Sequence, residues 1–205
     1  MNMPDFSLEN EHAGQVCGID EAGRGPWAGP VTAAAVIFDQ STLSPVLAQS
    51  LNDSKKLSAK KREALIDQIK AESIWAVGEA SVEEIDELNI LQATFLAMRR
   101  AVAGLSTKPD YALIDGNKLP PELGVPGHPV VKGDGLSCSI AAASIIAKVT
   151  RDQQMAKLAE QFPGYGWEKN AGYGVKLHQE GLAQHGVCPH HRKSFKPIKK
   201  IMGIE

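Results

Sequence analysis

Three short apolar runs, each followed closely by a carboxylate and a glycine, constrain this chain more than any other feature. Val16 to Ile19 runs into Asp20-Glu21 and Gly23, and Tyr111 to Ile114 into Asp115-Gly116. Val130-Val131 leads through Lys132-Gly133 to Asp134-Gly135. Runs this short, rich in Val, Ile and Tyr and bounded by Asp and Gly, read as buried strands. Thr32 to Phe38 follows closely enough to be the antiparallel neighbour of the first run, and Ile74 to Val77 reads as a further strand.

Helical patterns lie between the strands. Ser58 is placed to cap a helix reaching Ala71, with Leu65, Ile66 and Ile69 as its apolar stripe. Ser81 and Glu84 have capping-box spacing. Asn89 caps the next helix, where Leu91, Phe95, Met98 and Val102 recur on one face before Gly104. The longest helix is expected from Ser139 to about Phe162. Mixed elements with a hairpin-linked opening predict a mixed sheet flanked by helices, in one compact unit.

Composition narrows the class. In 205 residues, 43% are apolar and 22% charged, enough for a sizeable core and too ordered a mixture for global disorder. No apolar stretch approaches the roughly 20 residues that span a bilayer. Met1 to Gly14 lacks the basic flank and apolar stretch of a secretory signal, and three dispersed cysteines form no C-x-x-C pair. A reducing, cytoplasmic location is expected. The net charge of −2 hides an asymmetry: residues 1–50 carry one basic against six acidic groups, residues 151–205 nine against five. After position 190, Arg192, Lys193, Lys196, Lys199 and Lys200 oppose only Glu205. An acidic half and a basic tail fit two jobs on one polyanion, a solvated tail being the plainer alternative.

Carboxylates at strand ends project into the crevice where open α/β sheets bind ligands. Gathered in one crevice, Asp20, Glu21, Asp115 and Asp134 would repel one another unless a cation neutralised them. Hard oxygen ligands without a Cys/His set select Mg²⁺ or Mn²⁺. Neighbours in an extended strand alternate faces, so Asp20 is expected to be the central ligand and Glu21 to be placed by the turn at Gly23.

At this point the motifs become specific. Gly18-Ile19-Asp20-Glu21-Ala22-Gly23-Arg24-Gly25-Pro26 resembles the opening signature of type 2 ribonuclease H (ribonuclease HII). So do Asn52-Asp53-Ser54-Lys55-Lys56-Leu57, Leu113-Ile114-Asp115-Gly116-Asn117 and Lys132-Gly133-Asp134. The run from Ala141 to Asp152 resembles its long-helix signature. Gly172-Tyr173-Gly174, His178 and His191-Arg192-Lys193-Ser194-Phe195 resemble its C-terminal segment, and the likeness extends from about residue 14 to about 198. After Tyr173 the chain departs from the family pattern, with Gly174-Val175 where many relatives have proline and threonine.

The resemblance implies a ribonuclease H-like mixed β-sheet flanked by helices (residues 14–162), with a basic, helical, substrate-binding extension (163–205) of the same unit. It implies an endonuclease that hydrolyses the RNA strand of RNA–DNA hybrids and cuts 5′ to single ribonucleotides in duplex DNA, leaving 5′-phosphate and 3′-hydroxyl ends. Its role would be removal of RNA primers and misincorporated ribonucleotides. Asp20, Glu21, Asp115 and Asp134 would hold one or two Mg²⁺ or Mn²⁺ ions, the second arriving with substrate, for two-metal-ion in-line hydrolysis.

Gly23, Arg24 and Gly25 would bring backbone close to the 2′-hydroxyl, and Tyr173 would stack on a deoxyribose. Lys55 and Lys148 would contact phosphates, Asp152 being an alternative i,i+4 partner for Lys148. His178, His185, Cys188, His190 and His191 fit no zinc spacing and are read as a DNA-facing surface beside the basic tail. A monomer without a definite protein partner or membrane contact is expected. The rivals are a type 3 ribonuclease H, a non-catalytic nucleic-acid-binding module, and a metal-dependent phosphatase acting on small substrates.

Overall fold

The computed structural model describes residues 3–204. Its centre is a five-stranded sheet of order β3-β2-β1-β4-β5, with β1 Val16–Ala22, β2 Val31–Phe38, β3 Ser73–Ala80, β4 Tyr111–Asp115 and β5 Gly127–Val130. The first three strands form an antiparallel meander, whereas β4 lies parallel to both β1 and β5. The described helices are α1 Pro45–Ser50, α2 Ala59–Ala71, α3 Val82–Leu88, α4 Ile90–Ala103, α5 Cys138–Gln161, α6 Trp167–Asn170, α7 Lys176–His185 and α8 Lys196–Met202. None of them is long and apolar enough to cross a membrane.

Strand β2 is buried along its whole length, which is why Val-Thr-Ala-Ala-Ala-Val-Ile-Phe shows no polar alternation. Ala33, Ala35 and Ile37 face a core with Ile85, Phe95, Met98 and Val102 from α3 and α4. Ala34, Val36 and Phe38 face the opposite core, with Leu47, Ile66, Ile69, Ala142 and Ile146 from α1, α2 and α5. Local signals set the helix starts as expected. Ser58 accepts from Lys61 N, Ser81 and Glu84 form the capping box, and Asn89 Oδ1 accepts from Leu91 N and Gln92 N.

Helix α5 is buried without interruption from Cys138 to Ala147, because this half is enclosed between the sheet and other helices. Its start is tied to the N-terminal segment: Glu9 Oε1 accepts from Ser137 Oγ at 2.7 Å and from Ser139 N at 2.9 Å. A third apolar cluster, including Ala28, Met155, Tyr165, Trp167, Leu182 and Ile198, seats α6–α8 on the far end of α5.

Two expectations change at the strand ends. The last strand is Gly127–Val130 and excludes Val131, which is exposed. Lys132 adopts φ 59°, so the chain is already turning there. Strand β1 also runs past Ile19 through Asp20 and Glu21, since β2 continues to pair Glu21 with Ala33 and Ala22 with Thr32. Glu21 is therefore a strand residue and is not placed by the Gly23 turn.

Candidate active site

Parallel pairing brings the aspartates together. Ile19 lies opposite Ile114, so Asp20 and Asp115, one residue further on, reach the same end of adjacent strands. Asp134 arrives from the 3₁₀ turn Gly133–Gly135 beyond β5. That turn is held by Asp115 Oδ1, which accepts from Gly133 N at 2.7 Å. Asp20, Asp115 and Asp134 each offer an oxygen within 4.8 Å of the others, the one such group of three among the described residues.

Burial, then the charges of Glu21 and Asp115, pushes the Asp20 carboxyl well above the usual carboxylate range. Burial, then Asp115 and Asp53, lifts Asp134 to about 6. Desolvated oxygens that repel each other and have no Cys or His among them suit a hard divalent cation. The donor set fits Mg²⁺ or Mn²⁺.

Glu21 supplies no atom to this close trio. Its charge still reaches Asp20 and Asp115 from the site's edge, and its Oε1 lies 3.5 Å from Arg24 Nη1. Burial raises its pKa against the pull of Arg24. Lys55 stands beside the same carboxylates: burial pulls its ammonium pKa down, but Asp20, Asp134, Asp53 and Asp115 outweigh it and hold the charge on. Its loop is locked to the helices, with Ser54 N donating to Ser144 Oγ and Arg62 Nη1 donating to the carbonyls of Ser54 and Leu57.

Asp53, beside Asp134, was not among the expected site residues. Its place in Asn52-Asp53-Ser54-Lys55 was the available signal, although an Asp in such a run reads equally as turn punctuation. Lys148 Nζ binds Asp152 Oδ1 at 2.7 Å, the i,i+4 pair of the alternative reading.

The loop joining β1 to β2 carries Gly23-Arg24-Gly25. Gly23 has φ +98°, and a Cβ there would collide with the Arg151 side chain. Tyr173 is 45% exposed, and its Cε1 would lie 3.3 Å from a Cβ at Gly25, so the ring borders the loop from the side of the extension. The departure at Gly174 has a steric reason: a Cβ there would stand 2.1 Å from the Trp27 indole.

Two of the five residues read as a DNA-facing surface, and part of the basic tail, need correction, whereas His185 is exposed and Cys188 and His190 are partly so. His178 and His191 are fully buried, with Trp167 Nε1 donating to His178 Nε2 at 3.1 Å. Arg192 is fully buried too, its guanidinium donating to main-chain carbonyls of the β1–β2 loop. Groups of the extension satisfy the two histidines and the β1–β2 loop satisfies Arg192, which leaves Lys193, Lys196 and Lys200 as exposed cations of the tail.

A mixed sheet with flanking helices and three aspartates converging at one sheet end defines a metal-dependent nuclease with the ribonuclease H fold. The sequence profile described as Ribonuclease HII matches residues 17–198. The ribonuclease HII of Jannaschia sp. (strain CCS1) is 59% identical over 199 residues, covering 97% of this chain and 98% of that protein. The crystal structure of ribonuclease H2 from Pyrococcus horikoshii OT3 superposes with a TM-score of 0.75 at 28% identity, covering 92% of this chain and 97% of that one. A Bst ribonuclease HIII solved in complex with Mn²⁺ shares the fold, with a TM-score of 0.75 at 20% identity, covering 97% of this chain and 73% of that one. The chain belongs to the ribonuclease HII family, and is an endonuclease acting on the RNA of RNA–DNA hybrids.

Proposed function

We propose that this chain cuts 5′ to single ribonucleotides embedded in duplex DNA as well as along RNA–DNA hybrids, using Mg²⁺ or Mn²⁺ held by Asp20, Asp115 and Asp134. A divalent cation there supplies the Lewis acidity that in-line hydrolysis of a phosphodiester requires. The chain's own groups do the rest. Asp20, central and buried, anchors the site, while Glu21 closes its edge and carries Arg24. Lys55 places a positive charge over the acidic group, where it meets an incoming phosphate. Lys148 contributes less, because Asp152 already engages it. The backbone of Gly23-Arg24-Gly25 reads the 2′-hydroxyl and Tyr173 receives the following deoxyribose on its exposed face.

The observation that carries this reading is the approach of the Tyr173 ring to Gly25, where only the missing Cβ leaves room, which sets a sugar-sized aromatic platform beside a glycine loop leaving the aspartate strand. The test is cleavage of a duplex with one ribonucleotide, run in Mg²⁺ and in Mn²⁺ beside a continuous hybrid. A single cut on the 5′ side of the ribonucleotide is expected. Cleavage of the hybrid alone would overturn the reading. The cytoplasmic location and monomeric state belong to the same proposal.

A further inference from the structure

We propose that Arg192 is the positioning residue that presents the ribose-reading loop to substrate and thereby sets the preference for a 2′-hydroxyl; this rests on the role given above to Gly23-Arg24-Gly25. The Arg192 side chain has no exposed surface and no carboxylate partner within salt-bridge distance among the described residues. Its Nη2 donates to Gly23 O at 2.6 Å and Pro30 O at 3.0 Å, Nη1 to Arg24 O at 3.0 Å, and Nε to Gly29 O at 2.9 Å. Those carbonyls come from both legs of the loop between β1 and β2, so one rigid planar fork clamps its entry and exit. The ammonium of a lysine, a single point charge, cannot reach all four.

The clamp also fixes which way the loop's amides point. A trans peptide sets its C=O and N–H on opposite sides of the chain. Drawing the Gly23 and Arg24 carbonyls onto Arg192 therefore turns the next two N–H groups, of Arg24 and Gly25, away from it. Among the described residues neither amide has an intramolecular acceptor. They are two unspent donors in the loop that the Tyr173 ring borders, suited to the oxygen of a 2′-hydroxyl.

The segment carrying Arg192 is itself held from both sides. Arg192 N donates to Trp27 O at 2.8 Å, and Gly29 N to His190 O at 2.9 Å. Asp86 on α3 accepts from Lys193 N at 2.9 Å and from Ser194 N at 2.8 Å.

The test compares single-turnover cleavage of a duplex with one ribonucleotide against the same duplex with 2′-fluoro at that sugar, in wild type, Arg192→Lys, Asp86→Ala and Gly25→Ala. Mn²⁺ affinity by calorimetry separates a loop effect from damage to the aspartates. Arg192→Lys should lower the hydroxyl-to-fluoro ratio about tenfold, the loss of roughly one hydrogen bond, with Mn²⁺ affinity kept. Asp86→Ala, which loosens the segment while leaving all four guanidinium hydrogen-bond acceptors in place, should lower the ratio in the same direction, and it decides the matter if Arg192→Lys does not fold. An unchanged ratio in the deciding variant, with a reduced one in Gly25→Ala, overturns the role of Arg192 and leaves the loop reading standing. Unchanged ratios in every variant overturn the loop reading, and the role of Arg192 with it.

Discussion

His178 and His191 meet with their Nε2 atoms 3.0 Å apart inside the extension. Their tautomers follow from their other partners. Cys188 N donates to His191 Nδ1, so His191 carries its proton on Nε2 and donates it to His178. His178 then holds its own proton on Nδ1 and donates it to Tyr173 O at 3.0 Å. The chain of bonds exists only while both rings are neutral, and it ends on the carbonyl of the residue proposed to stack on the substrate.

Acid should weaken the fold through this pair. Burial, then His178, lowers the His191 pKa from 6.5 to about 4, and burial also lowers that of His178. Above pH 6.5 the unfolded chain holds no excess protons and the full stability is present. Between pH 6.5 and 4 the unfolded state takes up protons that the folded state refuses, so stability falls with pH. For His191 the loss is on the order of 3 kcal/mol by pH 4. Thermal melts from pH 7.5 to 4.5 should show a steeper acid decline for wild type than for His191→Gln; parallel curves would contradict the assignment.

The aspartates carry the opposite sign. Asp20 and Asp134 have raised pKa values when folded, so without a cation their contribution is greatest at low pH and is lost as pH rises from about 4 into the neutral range. Asp20→Asn should therefore melt higher than wild type in EDTA at pH 8. It should also lose most of the Mn²⁺-induced rise in Tm and cleave at least about a hundredfold more slowly. Asp134→Asn should retain hybrid binding with greatly slowed cleavage. A wild-type Mn²⁺ shift in Asp20→Asn would sink the metal assignment.

Tyr173 should matter most where RNA passes into DNA. On the proposed reading a deoxyribose would lie flat against its exposed ring, whereas a 2′-hydroxyl on that second sugar would crowd it. Tyr173→Ala should lose roughly tenfold on a single embedded ribonucleotide, the low end of stacking worth about 1–3 kcal/mol, and less on a continuous hybrid. Tyr173→Phe keeps the ring and should lose little. Equal losses on both substrates would place the junction reader elsewhere.

Salt dependence tests the tail without unfolding the extension. Arg192 and His191 are structural, so cutting the chain before them would remove part of the core. Replacing Lys196, Lys199 and Lys200 by Gln should reduce the slope of log K against log salt by up to about 0.9 for each phosphate no longer neutralised. Filter binding to an RNA–DNA hybrid at several salt concentrations reads this directly. An unaltered slope would make these lysines a solvated helix end.

What the sequence determined by itself is the order of the strands and longer helices and the identity of the chemical groups, whereas α1, six residues at Pro45–Ser50, is too short for periodicity to mark. A strand buried on both faces needs an apolar run such as Val31–Phe38. Helices need caps at their unpaired amides, as at Ser58, Ser81 and Asn89, and these rules act between neighbours in the chain. Asp20, Asp115 and Asp134 were legible for the same reason, each standing at or just beyond the end of its run.

Tertiary structure alone decided which charges work and which only support. Arg192 lies in a basic stretch and reads as a phosphate-binding cation, yet packing against the β1–β2 loop spends it on carbonyls. Asp53 reads as a turn residue until the Asn52–Leu57 loop is brought beside Asp134. Glu21 shares the motif of Asp20, but strand pairing continues through it and puts it outside the close group of three. Each outcome depends on which surface a side chain meets after chain-distant segments pack, and local spacing holds no information about that partner.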